Sequence, residues 1–92
     1  MAKKLDLVAK KINFTLEAPT ATKVMVAGDF NGWDSSRTPL RKCNDRIWRK
    51  ELKLKTGRYE YKFFVDGNWQ LDPKNNNRIG NSFGSENSVI EI

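Results

Sequence analysis

The sequence predicts an all-β sandwich, with a closed barrel as the alternative. Three observations carry this. Several short stretches alternate apolar and polar residues with a period of two. Clusters of Gly, Asn, Asp and Pro separate those stretches. No stretch repeats its apolar residues at helical spacing.

The first strand is expected over residues 10–17. Ile12, Phe14 and Leu16 fall on one face, and Lys11, Asn13, Thr15 and Glu17 on the other. Residues 18–22 contain Pro19 and stop it. Residues 23–28 are short, apolar and β-branched, which suits a strand covered on both faces. Asn31-Gly32 is a turn signal, and Trp33 follows it directly. Residues 35–44 are polar and irregular, with Pro39 and Leu40 opening a short strand or bend. The next strand is expected over 47–54. Trp48, Leu52 and Leu54 share a face with Lys50, whose ammonium must reach past them to water. Lys55-Thr56-Gly57 predicts a hairpin between this strand and the one after it.

That following strand, residues 59–65, is the centre of the pattern. Tyr59, Tyr61, Phe63 and Val65 fall on one face, and Glu60, Lys62 and Phe64 on the other. It breaks at Asp66-Gly67-Asn68, and Trp69 comes next. Two tryptophans thus arrive by the same local device of strand, turn and indole. Residues 72–87 contain Pro73, three consecutive Asn, Gly80 and Gly84, without periodicity. A loop of about 16 residues exceeds the usual connection and reads as functional or disordered. Residues 88–92 form a last strand, bringing the count close to the seven of an immunoglobulin-type sandwich.

A chain of 92 residues is one domain. Residues 1–9 are expected to be an N-terminal extension and residues 10–92 the domain proper. Hydrophobic residues at 38% and charged ones at 30% suit a globular protein rather than a disordered one. No apolar run approaches the roughly 20 residues of a membrane span, so no membrane association is expected. The positive N-terminus lacks the apolar segment of a signal peptide, because Asp6, Lys10 and Lys11 interrupt it. Cys43 is a single cysteine, so no internal disulfide is available. Together these features favour a cytoplasmic location. The net charge of +6 admits nucleic acid as a partner. The basic residues are scattered in pairs, however, and the simpler reading is a solvated cationic surface.

The residues for most chemistries are missing. There is no His, hence neither the commonest general base nor the commonest metal ligand. One Cys cannot build a zinc site. The chain has no nucleophile elbow, phosphate loop or dinucleotide fingerprint. A carboxylate pair is the remaining catalytic device. Yet Asp29, Asp34, Asp66 and Asp72 each stand beside a turn, where Asp serves the backbone. The chain reads as non-catalytic, with no cofactor and no metal.

Three separated motifs then carry a resemblance. They are Gly28-Asp29-Phe30-Asn31-Gly32-Trp33, the run from Gly57 through Tyr59, Tyr61-Lys62-Phe63, Val65-Asp66-Gly67, Trp69 and Asp72-Pro73, and Asn87-Ser88-Val89-Ile90. In this order they resemble the starch- and glycogen-binding module that precedes the catalytic domain of isoamylase, pullulanase and branching enzymes. The same module is the glycogen-binding domain of the AMP-activated protein kinase β-subunit. That version is the more similar, since it shares nearly all of Tyr-Lys-Phe-Phe-Val-Asp-Gly-x-Trp.

The resemblance implies an immunoglobulin-like β-sandwich that binds α-1,4-linked glucan such as glycogen, starch, maltooligosaccharides or cyclodextrin. Trp33 and Trp69 match the two tryptophans that stack on glucose rings, and Lys62 matches a lysine that bonds sugar hydroxyls. Phe83, Ser85 and Asn87 fall where the family's late loop supplies an inserted apolar residue, a hydroxyl and an asparagine. Phe83 stands where the kinase type usually has Leu, and residues 74–81 also differ from the family's usual sequence. Phe83 therefore either stacks on sugar or closes the loop onto the core.

Pyranose rings have apolar C–H faces and polar edges, so flat aromatics with a few placed amides, hydroxyls and ammonium groups suit them. Each residue also has a plainer reading. Trp33 and Trp69 serve equally as caps on the sandwich. Lys62 serves as a solvated side chain, and Asn87 as a turn residue. Trp48, in mid-strand with Leu52 and Leu54, belongs to the core. Two other functions remain open. One is a protein-interaction domain that has lost sugar binding, pairing through edge strands near 10–17 and 88–92 or packing on a catalytic domain. The other, less favoured, is a single-stranded nucleic-acid binder.

Overall fold

The computed structural model describes residues 9–92. The expected N-terminal extension lies outside the described residues except for Ala9, which opens the first strand. The strands are β1 (Ala9–Glu17), β2 (Val24–Gly28), β3 (Arg41–Lys42), β4 (Ile47–Lys55), β5 (Arg58–Val65), β6 (Asn68–Gln70), β7 (Arg78–Gly80) and β8 (Glu86–Glu91). All pairings are antiparallel. One sheet has the order β1-β4-β3. The other has the order β2-β5-β8-β7, with β6 added to β5. The two sheets form an immunoglobulin-like sandwich.

The alternation read from the sequence places the core. Phe14, Leu16, Trp48 and Leu54 come from the first sheet, and Val24, Val26, Tyr61 and Phe63 from the second. Phe14 meets the Tyr61 ring edge-on at 5.1 Å, the arrangement that aromatic quadrupoles favour. Trp48 is a core residue, and its indole N–H donates to the Ala18 carbonyl at 3.0 Å. All five residues of β2 are buried, as expected of a strand covered on both faces.

Three expectations need correction. First, β4 and β5 do not form a hairpin; they lie in different sheets. One flank of β4 pairs with β1 over nine residues and the other holds β3. Gly57 exchanges two backbone hydrogen bonds with Ile92, at 3.0 and 2.9 Å, and so fastens the crossing to the second sheet. A short glycine loop serves a hairpin or a sheet crossing equally well, and only the competition for strand edges decides between them.

Second, the 72–87 stretch is not structureless. β7 pairs with β8 in the register Arg78↔Ser88, Ile79↔Asn87, Gly80↔Glu86. All three residues of β7 are exposed, so no apolar alternation marks it. Third, the last strand is not an edge. β8 runs between β5 and β7, whereas β1 does border its sheet. The turn expected at Asn31-Gly32 is present: these residues close a 3-10 turn over Asp29–Asn31, with Gly32 left-handed at its end. The Asn31 amide is consumed by the fold: it accepts from the Gly28 N–H at 3.0 Å and donates to the Val26 carbonyl and to Thr38 Oγ1.

Beneath the start of the late segment lies a buried polar network. The Tyr61 hydroxyl donates to Asp72 Oδ2 at 2.6 Å and accepts from the Asn75 amide at 3.1 Å. The Asp72 N–H donates to Ser88 Oγ, and Asn75 also donates to the Val89 carbonyl. Burial first, and then the bond to Asp72, push the Tyr61 phenol well above its usual value. Tyr61 thus packs in the core with its ring and anchors residues 72–75 with its hydroxyl.

Two substitutions test this packing. A Cβ on Gly28 would stand 2.5 Å from the Glu60 carbonyl oxygen and 2.8 Å from Tyr61 Cβ. Gly28→Ala should therefore cost about 1–3 kcal/mol, the usual range for overpacking, read by urea unfolding. Tyr61→Phe leaves Asp72 without its buried donor and should cost about 1–3 kcal/mol. A loss below a few tenths in either case contradicts these contacts.

Candidate functional site

The second sheet turns the alternate face of β5 outward, and a groove of about 640 Å³ opens over it. All six site residues expected from the sequence line this one groove: Trp33, Lys62, Trp69, Phe83, Ser85 and Asn87. They come from four segments separated by up to about 50 residues.

Each tryptophan is held by its own turn. Gly32 and Trp33 both adopt the left-handed conformation, with φ of 69° and 60°. That conformation is uncommon for a large side chain. It is fixed by the Trp33 N–H donating to the Gly28 carbonyl at 2.9 Å and the indole N–H donating to Asp29 Oδ1 at 2.9 Å. Trp69 sits in β6, opposite Phe64 in β5, with ring centroids 4.7 Å apart. The two indoles meet at 6.2 Å with their planes inclined by 63°. Trp69 is 48% exposed, so it does not close the core.

The turn before Trp69 has its own clamp. The Asp66 carboxylate accepts from the Thr22 hydroxyl at 2.7 Å, from the Thr22 N–H and from the Lys23 N–H at 2.9 Å. These bonds, the Thr22 hydroxyl first, hold its carboxyl below the usual range. Asp66 therefore ties the β5–β6 turn to the entrance of β2, in agreement with its reading as a turn residue.

The opposite wall is the loop between β7 and β8, with Asn81 as its hub. The Asn81 Oδ1 accepts from the N–H groups of Phe83 and Ser85, at 2.9 and 3.2 Å. Its Nδ2 donates to Ser85 Oγ at 2.8 Å and to Asn87 Oδ1 at 3.0 Å. Asn87 in turn donates to Glu60 Oε1 at 2.9 Å, and Arg58 donates to Glu60 Oε2 at 3.1 Å. Lys62 donates to Ser85 Oγ at 3.3 Å. At the tip of this braced turn Phe83 is 91% exposed and packs on nothing in the core. Of its two readings, closing the loop onto the core is therefore excluded.

Sequence reasoning missed Glu60, Asn81 and Ser82, which also line the groove. Glu60 was legible, since it shares the outward face of β5 with Lys62. For Asn81 the available signal was its position two residues before Phe83, the spacing of an Asx turn. Among the described residues no group of His, Cys, Asp and Glu is arranged to hold a metal ion.

The groove thus has two inclined indoles and a free phenyl as apolar surfaces. Its polar groups are one ammonium, one carboxylate, two amides and two hydroxyls. This is the make-up of a site for a ligand with apolar faces and polar edges.

Comparison with known proteins agrees. The family model describing the glycogen recognition site of AMP-activated protein kinase matches residues 10–92. The chain belongs to this family. It is 38% identical over 73 residues to protein PTST homolog 2, chloroplastic, of Arabidopsis thaliana, covering 79% of this chain and 13% of that protein. It is 36% identical over 70 residues to the AMP-activated protein kinase subunit beta-1 of Bos taurus, covering 76% of this chain and 24% of that protein. Among solved structures it resembles a maltogenic amylase from S. marinus, with a TM-score of 0.73 and 27% identity over 89% of this chain and 13% of that one. The chain therefore spans a quarter or less of these relatives. The family is a non-catalytic carbohydrate-binding module of the glycogen- and starch-binding kind.

Two predictions follow from the clamps. Asp66 is ionised below its usual value in the folded state, so its stabilisation is complete above pH 3.8 and fades as the pH falls from there toward the lowered value. The melting temperature should drop over that acid range, and Asp66→Asn should flatten the part of the drop due to this group. Asn81→Ala should release the turn: amide order parameters at residues 82–85 should fall below about 0.6, with little change in melting temperature. Unchanged order parameters would show that Asn81 does not organise the loop.

Proposed function

We propose that the groove binds α-1,4-linked glucan, with Trp33 and Trp69 stacking on successive glucose rings. The observation that carries this reading is the 63° inclination of the two indoles. A helical α-glucan presents successive ring faces at an angle, whereas a flat β-glucan favours coplanar aromatic platforms. Lys62, Asn87 and Ser85 satisfy hydroxyls at the sugar edge. The Asn87 amide keeps spare capacity for this, because its bonds to Glu60 and Asn81 use only part of its two donors and two acceptor lone pairs. Phe83, free at the loop tip, covers a further apolar face of the glucan.

Binding of a short oligosaccharide is expected at micromolar to millimolar dissociation constants, roughly −4 to −8 kcal/mol. Glycogen or starch is the polymer partner, and a longer protein carrying this module would be held on it.

The test is calorimetric titration with maltoheptaose or β-cyclodextrin at low and high salt. Saturable heat that ignores salt is expected, because the sugar is neutral. Loss of affinity on raising salt would instead indicate nucleic acid, through counterion release. Trp33→Ala and Trp69→Ala should each weaken binding at least tenfold while the domain stays folded by circular dichroism. Retained affinity in both variants would overturn the stacking assignment.

A further inference from the structure

The net charge is not spread over the molecule. Residues 9–17 and 41–55, which supply the β1-β4-β3 sheet and its β3–β4 turn, hold nine Lys and Arg against three Asp and Glu. This matches the +6 of the whole chain, so the remaining residues are neutral in sum. The outward face of the sheet carries Lys11 on β1, Arg41 on β3, and Arg49, Lys53 and Lys55 on β4, all exposed.

The strand register sets like charges opposite one another. Lys11 stands across from Lys53, and Arg41 across from Arg49. Such pairs destabilise a sheet, where opposite charges would stabilise it. Among the described residues none of these five cations forms an ion pair. Arg49 donates only to the neutral Asn13 side chain, at 3.3 Å. A merely soluble surface has no need of like-charge pairs in register, whereas a surface that receives an anion does.

We propose that this outer face docks an acidic protein surface, leaving the groove on the opposite side of the sandwich free. Several observations favour protein over polyphosphate. Among the described residues the exposed large apolar side chains are Trp69, Ile79 and Phe83; the first two lie in the other sheet and Phe83 in its β7–β8 loop. The basic face therefore offers no stacking platform for single-stranded nucleic acid. It also offers no apolar wedge for a membrane surface. Glu51 lies exposed among the cations, and Glu17 is paired with Arg46 at 3.1 Å. Fixed carboxylates suit a partner of mixed but mainly negative charge and repel an unbroken row of phosphates. Asn13 and Thr15 add neutral hydrogen-bonding groups between them.

The experiment titrates the ¹⁵N-labelled protein with poly-L-glutamate at about 150 mM salt, where the Debye length is near 8 Å. Oligo-dT and phosphatidylserine vesicles are the comparison probes. Amide shifts should cluster on β1, β3 and β4 with poly-L-glutamate, and affinity should fall at least tenfold in Arg49→Glu/Lys53→Glu. Maltoheptaose affinity of that variant should be unchanged, which keeps this test separate from the fate of the groove. The wild-type shift map stands even where the double variant folds poorly. Shifts scattered over both sheets, no binding at this salt, or tighter binding of oligo-dT or vesicles to the same face would overturn the proposal.

Discussion

The groove depends on one carboxylate. Asp29 stands at the start of the 3-10 turn, and its two oxygens do different work. Oδ1 accepts from the Trp33 indole at 2.9 Å, and Oδ2 accepts from the Glu60 backbone N–H at 2.8 Å. One side chain thereby joins the tryptophan to β5, the strand that also carries Lys62. Gly28 makes this approach possible, because its missing Cβ lets the turn lie against the Glu60 carbonyl and Tyr61. Phe30, inside the turn, packs on Phe14 and Tyr59 and roots the turn in the core.

The rest of the site repeats this economy. Asp66 fixes the second turn, Asn31 the first and Asn81 the third, each through several hydrogen bonds: those of Asn31 and Asn81 are local, and those of Asp66 reach Thr22 and Lys23. None of the three needs to touch a ligand to matter. A long flexible loop would lose conformational freedom on binding; a loop already braced by its own asparagine loses less. Phe83 is the result: a large apolar side chain held in water on a braced turn. Such exposure brings no packing benefit within the described residues, and it leaves the ring free for the role proposed for it in the groove.

Most of the fold was legible in the sequence, and so was the grouping of six residues that line one groove, for reasons that can be named. Period-two alternation marks strands that bury one face, and it identified the inward residues of β1, β4 and β5. The tryptophans, Lys62 and the late-loop residues came from the spacing of family motifs, which integrates contacts that no local rule sees. What escaped was decided by competition between distant segments. The Lys55-Thr56-Gly57 loop is locally a good hairpin; β1 and β3 occupy the flanks of β4, and Ile92 claims Gly57. β7 escaped because three exposed residues paired along one side leave no apolar signature. Asn81 escaped as a groove residue because its role lies in hydrogen bonds to other polar groups of its own loop, which hydrophobic patterning does not register.

The measurement that tests the account most directly is intermolecular NOE detection between the labelled protein and maltoheptaose. Contacts are expected from sugar C–H protons to the rings of Trp33, Trp69 and Phe83, and none to Trp48, which is buried in the core. Saturable binding with contacts elsewhere on the surface would contradict the assignment of the groove, and an absence of binding at millimolar sugar would contradict the glucan reading itself.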